Sequence, residues 1–440
     1  MENKLKDTFL SDSTKYLLGN ILSGLLIFIT LPIYTRNLSP SEYGIFGLFI
    51  LFGNISSGVI SFGIHLATYK FYFQYKNELN KYKIINSTNI IFLFGVYFIG
   101  GIVIYYFAEW FSLIFFDSEL SKKVIYLSFI SGCLQYIFTY CTLILNAQKK
   151  STLFSLITVT HALIKALISI FFIFKYQMTY FALIYGLIFT NAIFDVILIL
   201  YVLRDLFTVK FSFKELKKSI KFSYPTTPRL IIDLLYSSFD KILLNKYSGL
   251  GSIAHYHFGQ KFAWILQMIM TGIGRAFSPF FFENAEENTQ SSVRLIVDRF
   301  YKILFFIMIC GISLIYFSEE LIRILVTEEY YPSMFITPIF IYYHLFGAIG
   351  MITISQLMVG EKLIYRLPVT ILSLISNIML NLILIPKYGA IGAVISTTFT
   401  SMISQIIFLF FGQKAFYLPL NILRLFYLYF ILLILTIPVY

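Results

Sequence analysis

Long apolar segments follow one another along nearly the whole chain, separated by short polar connections. An α-helix rises about 1.5 Å per residue, so about 20 mostly apolar residues are needed to cross a hydrocarbon core of about 30 Å. Twelve segments meet that length, and a thirteenth covers about 422–440. The twelve lie at about 16–34, 43–66, 84–107, 124–145, 152–174, 178–203, 222–245, 252–275, 300–317, 334–358, 363–385 and 389–411. The pattern predicts an all-α polytopic membrane protein with about 12–13 transmembrane helices.

The lysines and arginines fall mainly on one side of the predicted spans. If the amino terminus is cytoplasmic, 23 of the 34 Lys and Arg residues lie in cytoplasmic segments and eight lie outside. Two predicted outer loops, at 109–119 and 319–329, are acidic. Because positive residues favour the cytoplasmic side of a membrane protein, we predict a multi-pass membrane protein with a cytoplasmic amino terminus.

Composition excludes several classes of protein. The 440 residues are 58% apolar and only 13% charged, whereas a soluble domain is about a quarter charged. The net charge of +12 is scattered along the predicted cytoplasmic face, which argues against nucleic acid as a partner. The three cysteines lie inside apolar segments and have neither the number nor the spacing of a disulfide framework or a metal site.

Motifs of catalytic sites are missing from the sequence. It contains no Walker-type phosphate loop, no H-E-x-x-H and no G-x-S-x-G. A membrane-bound polysaccharide polymerase or glycosyltransferase should place its chemistry in a long outer loop, and the longest predicted outer loops run about 15–18 residues. We therefore predict that the protein is not an enzyme and has no catalytic residues, cofactor or metal site.

The chain repeats itself weakly at an offset of 212 residues. Phe174–Tyr176, at the start of a short outer turn, falls on Pro386–Tyr388, and the turn after span 1 falls on the turn after span 7. Parallel repeats are common in transporters, which bind substrate between the halves near the middle of the membrane. We predict a six-helix lobe at 1–206, a linker at 207–221, a second six-helix lobe at 222–411 and an additional transmembrane segment at 412–440.

The predicted linker alternates aromatic or aliphatic residues with lysines. Phe211, Phe213, Leu216 and Ile220 are interleaved with five lysines between 210 and 221. A basic amphipathic segment of this kind favours lying along an anionic cytoplasmic leaflet. A solvated linker between the lobes is the alternative, and the sequence leaves both open.

Four short motifs resemble bacterial polysaccharide biosynthesis flippases. The turn YTRNLSPSEYG at Tyr34–Gly44 resembles the start of these proteins, and FSYP at Phe222–Pro225, SFDK at Ser238–Lys241 and NLILIPKYGA at Asn381–Ala390 resemble their second half. Together they cover about residues 10–412. The family is the Wzx-type flippases of O-antigen, capsule and lipopolysaccharide repeat units, in the multidrug/oligosaccharidyl-lipid/polysaccharide (MOP) exporter superfamily.

The resemblance implies a fold, a function and a location in the bacterial cytoplasmic (inner) membrane. The fold is two pseudo-symmetric six-helix lobes of the MOP or MATE type. The function is to move undecaprenyl-diphosphate-linked oligosaccharide repeat units from the cytoplasmic to the outer leaflet by alternating access. The implied partners are this substrate and membrane lipids, with a polysaccharide polymerase and a chain-length regulator as further candidates.

Ionisable residues inside the predicted spans cluster in spans 5 to 8. Charged groups there cost about 2.5–3.5 kcal/mol on insertion scales, so they usually face a wet cavity or a partner. Span 5 pairs His161 with Lys165, and span 8 pairs His257 with Lys261, each four residues apart. Together with Arg229 of span 7, the two lysines form a candidate cationic cavity that would bind the diphosphate of the carrier lipid.

The acidic residues near these cations leave two interpretations open. Asp233 and Asp240 share a stripe of span 7 with Arg229, and Asp195 lies on span 6. One interpretation is structural pairing, in which Asp195 neutralises Lys165, Asp233 neutralises Arg229 and Asp240 neutralises its neighbour Lys241. The other is that these acids couple transport to a proton or a cation.

Two other kinds of transporter are compatible with most of these features. A cation-coupled multidrug exporter of the MATE type should favour acids in its cavity, and the excess of cations in spans 5, 7 and 8 argues against it. A lipid II flippase would share nearly every feature. The turn at Tyr34–Gly44 is the main reason to prefer a surface polysaccharide.

The predicted topology can be tested by cysteine labelling. In a background without native cysteines, we expect a cysteine at position 214 to react with an impermeant thiol reagent only after the cells are opened. A cysteine at position 119, in a predicted outer loop, should react in intact cells and serves as the control. Labelling of position 214 from outside intact cells would contradict the predicted orientation.

Overall fold

The computed structural model describes residues 2–75, 77–116, 122–224, 227–287 and 289–436, and these residues form helices and turns without a β-strand. Short 3₁₀ turns lie at Glu328–Tyr330 and Leu363–Tyr365. The α-helices are α1 (Glu2–Asn37), α2 (Pro40–Ile60), α3 (Ile64–Gln74), α4 (Leu79–Phe116), α5 (Lys122–Ala147), α6 (Ser151–Tyr176), α7 (Tyr180–Leu206), α8 (Phe213–Ser223), α9 (Thr227–Ser248), α10 (Leu250–Glu287), α11 (Gln290–Tyr316), α12 (Ser318–Leu325), α13 (Ser333–Gly347), α14 (Ile349–Val359), α15 (Arg366–Ala415) and α16 (Ile422–Thr436).

The prediction of an all-α polytopic membrane protein is confirmed. Nine of the described helices are long and apolar enough to span a membrane, or ten if the bent pair α11 and α12 is one span. In lipid a helix satisfies its own backbone hydrogen bonds, which explains why apolar segments of this length take no other form. The helices are thus those of a multi-pass membrane protein.

The span count from helix length and composition is lower than the 12–13 predicted, for local reasons. Predicted spans 11 and 12 count as one because the two helices of α15 are joined without an intervening loop at Gly389, where the backbone is not helical (φ 56°, ψ −131°). α9 carries charged residues that lower its hydropathy, and α16 has only 15 residues. The predicted span at 43–66 instead ends at Ile60, because Phe62 and Gly63 have positive φ values and start the new helix α3.

The turn between α1 and α2 shows why its sequence starts a helix. The Ser39 hydroxyl accepts a hydrogen bond from the Glu42 backbone N–H at 3.3 Å, and the Ser39 backbone N–H donates to Glu42 Oε2 at 2.9 Å. Pro40 lies at the first helical position, where its missing N–H costs nothing. This reciprocal capping box satisfies two amides that the first turn of a helix leaves open.

The helices divide into two compact units, Met1–Asn245 and Lys246–Tyr440. In the first unit, α5 packs against α2, α4 and α7, and α1 packs against α6. In the second unit, α13 packs against α10, α11 and α15, and α16 packs against α11. The division after Asn245 lies later in the chain than the predicted linker, because α8 packs on α3 and α4 of the first unit.

The helix boundaries of the second half follow those of the first at the predicted offset of 212 residues. Adding 212 to Ala147, the end of α5, gives Val359, the end of α14. The same step takes α4 to α11 with α12, and α6 and α7 to the two halves of α15, within three residues at each boundary. It also places Gln177 on Gly389, and both have positive φ. These matches support duplicated halves, and their superposition stays a prediction.

The helices α2 and α5 approach each other closely in the first unit. A Cβ atom on Gly132 would lie 2.1 Å from the Gly53 carbonyl oxygen, and one on Gly53 would lie 2.5 Å from the Ser128 carbonyl oxygen. The Ser128 hydroxyl also donates to the Phe49 carbonyl oxygen across this contact. Only glycine allows the two backbones to approach this closely.

Substitution of Gly132 should therefore destabilise the first unit. We expect Gly132→Ala to lower the melting temperature of the purified protein, because overpacking costs about 1–3 kcal/mol and the obstacle is a backbone atom. Gly95→Ala on α4 is the matched control, since no atom lies within 4 Å of its added Cβ. Equal melting temperatures for the two variants would contradict the close contact.

Candidate functional site

A buried polar cluster joins α5, α6 and α7 in the first unit. His161 Nε2 and Asn191 Oδ1 are 2.7 Å apart, and Asn191 Nδ2 donates to Gln135 Oε1 at 3.3 Å. The His161 ring lies near Phe138 and Phe194, with centroid distances of 4.4 and 5.2 Å; it is tilted by 35° from the Phe138 ring and meets Phe194 in a T-shaped contact at 66°. His161 is therefore held by a polar partner and by two aromatic neighbours.

Asp195 lies one helical turn after Asn191 on α7 and is 3% exposed. Among the described residues, neither of its carboxylate oxygens has a hydrogen-bond partner. A buried carboxylate without a donor is costly and usually marks a functional site inside a membrane protein. A bound proton or cation would supply the missing partner.

The two predicted residues of α6 and α7 are not joined by a hydrogen bond. Lys165 is half-buried one turn after His161 on α6. Because neither oxygen of Asp195 accepts a hydrogen bond, the expected pair of Lys165 and Asp195 is not formed in the described conformation. The two side chains nevertheless belong to neighbouring helices, since α6 and α7 pack along their length.

A second polar network ties the predicted cytoplasmic ends of α3, α4, α5 and α7 together. Asn89 donates to the Thr68 hydroxyl at 2.9 Å, and Thr68 is 2.9 Å from the Tyr140 hydroxyl. Tyr140 donates to Asn86 Oδ1 at 2.7 Å, and Asn86 donates to the Leu206 carbonyl oxygen at 2.9 Å. This continuous chain of hydrogen bonds is structural in character, although Asn89 Oδ1 accepts none from the described residues.

Three further histidines accept or donate within their own unit. His65 Nδ1 lies 2.5 Å from the Tyr136 hydroxyl. In the second unit, His255 Nε2 lies 2.9 Å from the Glu329 carbonyl oxygen, and His344 Nδ1 lies 3.1 Å from Gln267 Oε1. These partners fix the orientations of the rings, which is typical of structural residues.

The second unit contains its own polar cluster on the two halves of α15. Asn377 Nδ2 donates to Thr397 Oγ1 at 3.3 Å, and Asn381 Nδ2 donates to Asn377 Oδ1 at 3.0 Å. All three side chains are buried. Asn381 Oδ1 accepts no hydrogen bond from the described residues. The break at Gly389 folds the two halves back so that these residues meet.

Lys261 is half-buried on α10 of the second unit. Its Nζ atom lies 5.6 Å from the centroid of the Phe258 ring. A cation over an aromatic face is attracted by the ring quadrupole. Lys261 therefore lies in the apolar part of α10, next to an aromatic ring.

The remaining predicted residues lie on α9. The side chains of Arg229 and Asp233 lie outside the described residues. Asp240 is 3% exposed, and its Oδ1 atom accepts a hydrogen bond from the Lys241 backbone N–H at 2.8 Å. This hydrogen bond is thus donated by the backbone of Lys241.

Sequence reasoning found the ionisable residues and missed the amides that surround them. It singled out His161, Lys165 and Asp195 but gave no role to Gln135 or Asn191. The available signal was the presence of amide side chains at the middle of apolar spans, where each needs a partner. In the described part of the chain, no three His, Cys, Asp or Glu side chains are grouped as a metal site would require.

A model of the family described as polysaccharide biosynthesis protein matches residues 9–285, which is more than half of the chain. The chain belongs to this family. The match covers the whole polar cluster of α5, α6 and α7, together with Lys261. None of the curated proteins matches the sequence.

Several solved structures share the fold of this family member. The lipid II flippase MurJ in an inward closed conformation has a TM-score of 0.75 and 17% identity, covering 96% of each chain. An inward-facing multidrug resistance MATE family transporter of the MOP superfamily has a TM-score of 0.70 and 14% identity, covering 91% of this chain and 94% of that one.

A third similar structure is a MOP superfamily transporter from Pyrococcus furiosus that is described as having a binding pocket of reverse polarity. Its TM-score is 0.62 at 12% identity, covering 93% of this chain and 95% of that one. At these identities the likeness establishes the fold. This family member therefore has the MOP transporter fold over nearly its whole length.

Substitutions of Asn191 and Asp195, which lie one turn apart on α7, test whether each side chain has a stabilising hydrogen-bond partner. We expect Asn191→Leu to cost about 1–3 kcal/mol of stability, because it leaves His161 and Gln135 without their buried partner. We expect Asp195→Leu to keep or raise stability, because it removes a buried carboxylate to which no described residue donates. Thermal unfolding of the purified proteins measures both. An equal loss in the two variants would show that Asp195 has a structural partner.

Proposed function

We propose that the protein is a flippase that moves undecaprenyl-diphosphate-linked oligosaccharide repeat units from the cytoplasmic to the outer leaflet of the bacterial inner membrane. Membership of the polysaccharide biosynthesis family is the observation that carries this proposal. The MOP transporter fold supplies a framework for alternating access, and the similar structures include a flippase and a multidrug transporter. A polysaccharide polymerase and a chain-length regulator are the protein partners that such a pathway would provide.

The proposed binding groups for the carrier lipid are the cations inside the membrane. Lys165 and Lys261 are half-buried in otherwise apolar helices, and Arg229 lies on α9. A diphosphate offers several anionic oxygens, and a guanidinium can bind two of them at once. Attraction between such groups is stronger in a partly dehydrated site than in water. These three residues would therefore hold the head group while its hydrocarbon chain stays in the bilayer.

The proposed coupling group is Asp195, with Asp233 and Asp240 as further candidates. Asp195 is buried and accepts no hydrogen bond from a described residue. Proton or cation binding at this carboxylate would change the charge next to the cluster of His161 and Asn191. Because α5, α6 and α7 pack together there, a change in that charge could bias the packing of the first unit.

The proposal predicts which variants lose transport without losing the protein. We expect Arg229→Ala combined with Lys261→Ala to insert and fold, to fail to restore surface polysaccharide to a deletion strain, and to accumulate lipid-linked sugar in the cytoplasmic leaflet. Lys261→Arg should keep partial activity because the charge survives, and Lys261→Gln should lose it. Membrane immunoblots establish that protein levels are equal.

Several controls separate this proposal from its alternatives. Lys302→Gln removes an exposed lysine whose Nζ atom lies 2.8 Å from Asp298 on the surface of α11, and it should export normally. Full export by the double alanine variant would show that the cationic-cavity hypothesis is wrong. Complementation of a strain that lacks its lipid II flippase, with no effect on surface polysaccharide, would instead assign lipid II as the substrate.

A further inference from the structure

An apolar groove lies between α2 and α4 in the first unit. It has a volume of about 870 Å³, and 13 of its 15 lining residues are apolar side chains or glycine. The two polar exceptions are Ser56, whose hydroxyl donates to the Phe52 carbonyl oxygen at 2.7 Å, and Tyr224. Ile99 and Val103 line the groove while 61% and 45% exposed. The groove is therefore open to the surroundings of the unit and fits a hydrocarbon chain.

The groove runs along α2 and α4, which are antiparallel, since Phe62 of the α2 end lies 6.4 Å from Phe92 and Phe52 lies near Phe111 and Phe115. One end lies between Phe62 and Val96, and the other is lined by the Phe52 ring, whose centroid is 5.3 Å from Phe111 and 5.0 Å from Phe115. Because three phenylalanine rings line the second end, a polar head group is expected at the Phe62 end. The residues next to that end therefore determine which head group is favoured.

The helix α8 lies beside the Phe62 end of the groove. Its Phe222 ring contacts Phe71 of α3 at 6.0 Å, and Lys70 Nζ lies 3.9 Å from the centroid of the same Phe222 ring. Two residues later, Tyr224 lines the groove itself. Leu216 is buried where α8 packs on α3 and α4, so this helix is fixed in place next to the opening.

The free face of α8 carries positive charge. Lys214, Lys217 and Lys221 are exposed and lie three or four residues apart, which places them on one face of the helix. Together with Lys218, they outnumber the single acid of the helix, Glu215. A row of lysines of this kind attracts anionic lipid head groups, with a contribution of about 1 kcal/mol for each lysine near the surface.

Large apolar side chains accompany these lysines at the start of α8. Val209, Phe211 and Phe213 are 92%, 41% and 79% exposed. Exposed aromatic and aliphatic residues next to lysines are typical of a helix that lies in the interface between the head groups and the hydrocarbon region. The sequence left open whether this segment is a solvated linker, and the packed helix with its exposed apolar residues favours the membrane surface.

We propose that the α2–α4 groove and the lysine face of α8 together form a binding site for an anionic phospholipid of the cytoplasmic leaflet. Its acyl chain occupies the groove, and its phosphate lies against Lys214, Lys217 and Lys221. The positive charge of these lysines is the reason to expect an anionic head group, because an apolar groove alone would accept any lipid chain. This site is separate from the cations proposed to hold the transported diphosphate, so it does not depend on which substrate the protein moves.

Lipid binding to the purified full-length protein tests the site directly. We expect phosphatidylglycerol to be retained in native mass spectrometry and to raise the melting temperature, whereas phosphatidylcholine with the same acyl chains should do neither. Replacing Lys214, Lys217 and Lys221 with Gln should weaken phosphatidylglycerol binding by about fivefold for each lysine removed. Replacing the same three with Arg should preserve binding, because the charge is kept.

A tryptophan in the groove tests the hydrocarbon half of the site. Val103→Trp should block the groove and reduce retention of phosphatidylglycerol. Ile102→Trp is the matched control, because Ile102 immediately precedes Val103 on α4, has the same 45% exposure and does not line the groove. The lysine variants change only exposed side chains, so they test the proposal even if Val103→Trp does not fold.

Three outcomes would overturn the proposal. Equal retention of phosphatidylcholine would show that the groove holds bulk lipid without selection. Unchanged phosphatidylglycerol binding by the triple Gln variant would show that the lysines of α8 are not part of the site. Stabilisation by undecaprenyl phosphate, with none by phosphatidylglycerol, would show that the groove holds the carrier of the transported substrate.

Discussion

The absence of water in the bilayer core constrains every part of this structure. A backbone that crosses hydrocarbon must satisfy its own hydrogen bonds, so the apolar segments become helices, and each polar side chain inside them needs a partner from a neighbouring helix. The chain of Thr68, Asn86, Asn89 and Tyr140 meets this requirement within the first unit. Asp195 does not meet it with any described residue, and neither do several hydroxyl and amide groups such as the Tyr82 hydroxyl and Asn89 Oδ1. Asp195 differs from these groups because both oxygens of a carboxylate, which can carry a charge, are without a donor.

The sequence was sufficient to predict the helices because a transmembrane helix requires little more than length and hydropathy. It was less informative about where helices break, since a break depends on one residue's backbone conformation. Phe62 is an apolar residue in an apolar run, and nothing in its type indicates a positive φ. The connection between predicted spans 11 and 12 shows the reverse case, since the predicted turn at Pro386–Tyr388 is helical and the chain bends at a single residue with positive φ, Gly389.

The candidate site was predictable in its ionisable residues and not in its geometry. Hydropathy marks a charge such as Lys165 as unusual wherever it occurs in a span. Hydrogen-bond partners, by contrast, depend on which faces of three helices meet, and that is decided by packing. The contact of His161 with Asn191 needs α6 and α7 in one register, and the bond from Asn191 to Gln135 adds α5. Periodicity within one helix contains no information on that register.

The repeated helix ends have a consequence for what the two halves have in common. The ends of α5 and α14 keep the 212-residue spacing, and the ends of α1 and α9 keep it within one residue. Gln177 and Gly389 lie at corresponding corners with different side chains and a similar φ. The connections differ in length, since three residues separate α6 from α7 whereas the two halves of α15 are joined at Gly389 alone. The halves therefore share the positions of helix ends more closely than the lengths of the connections between them.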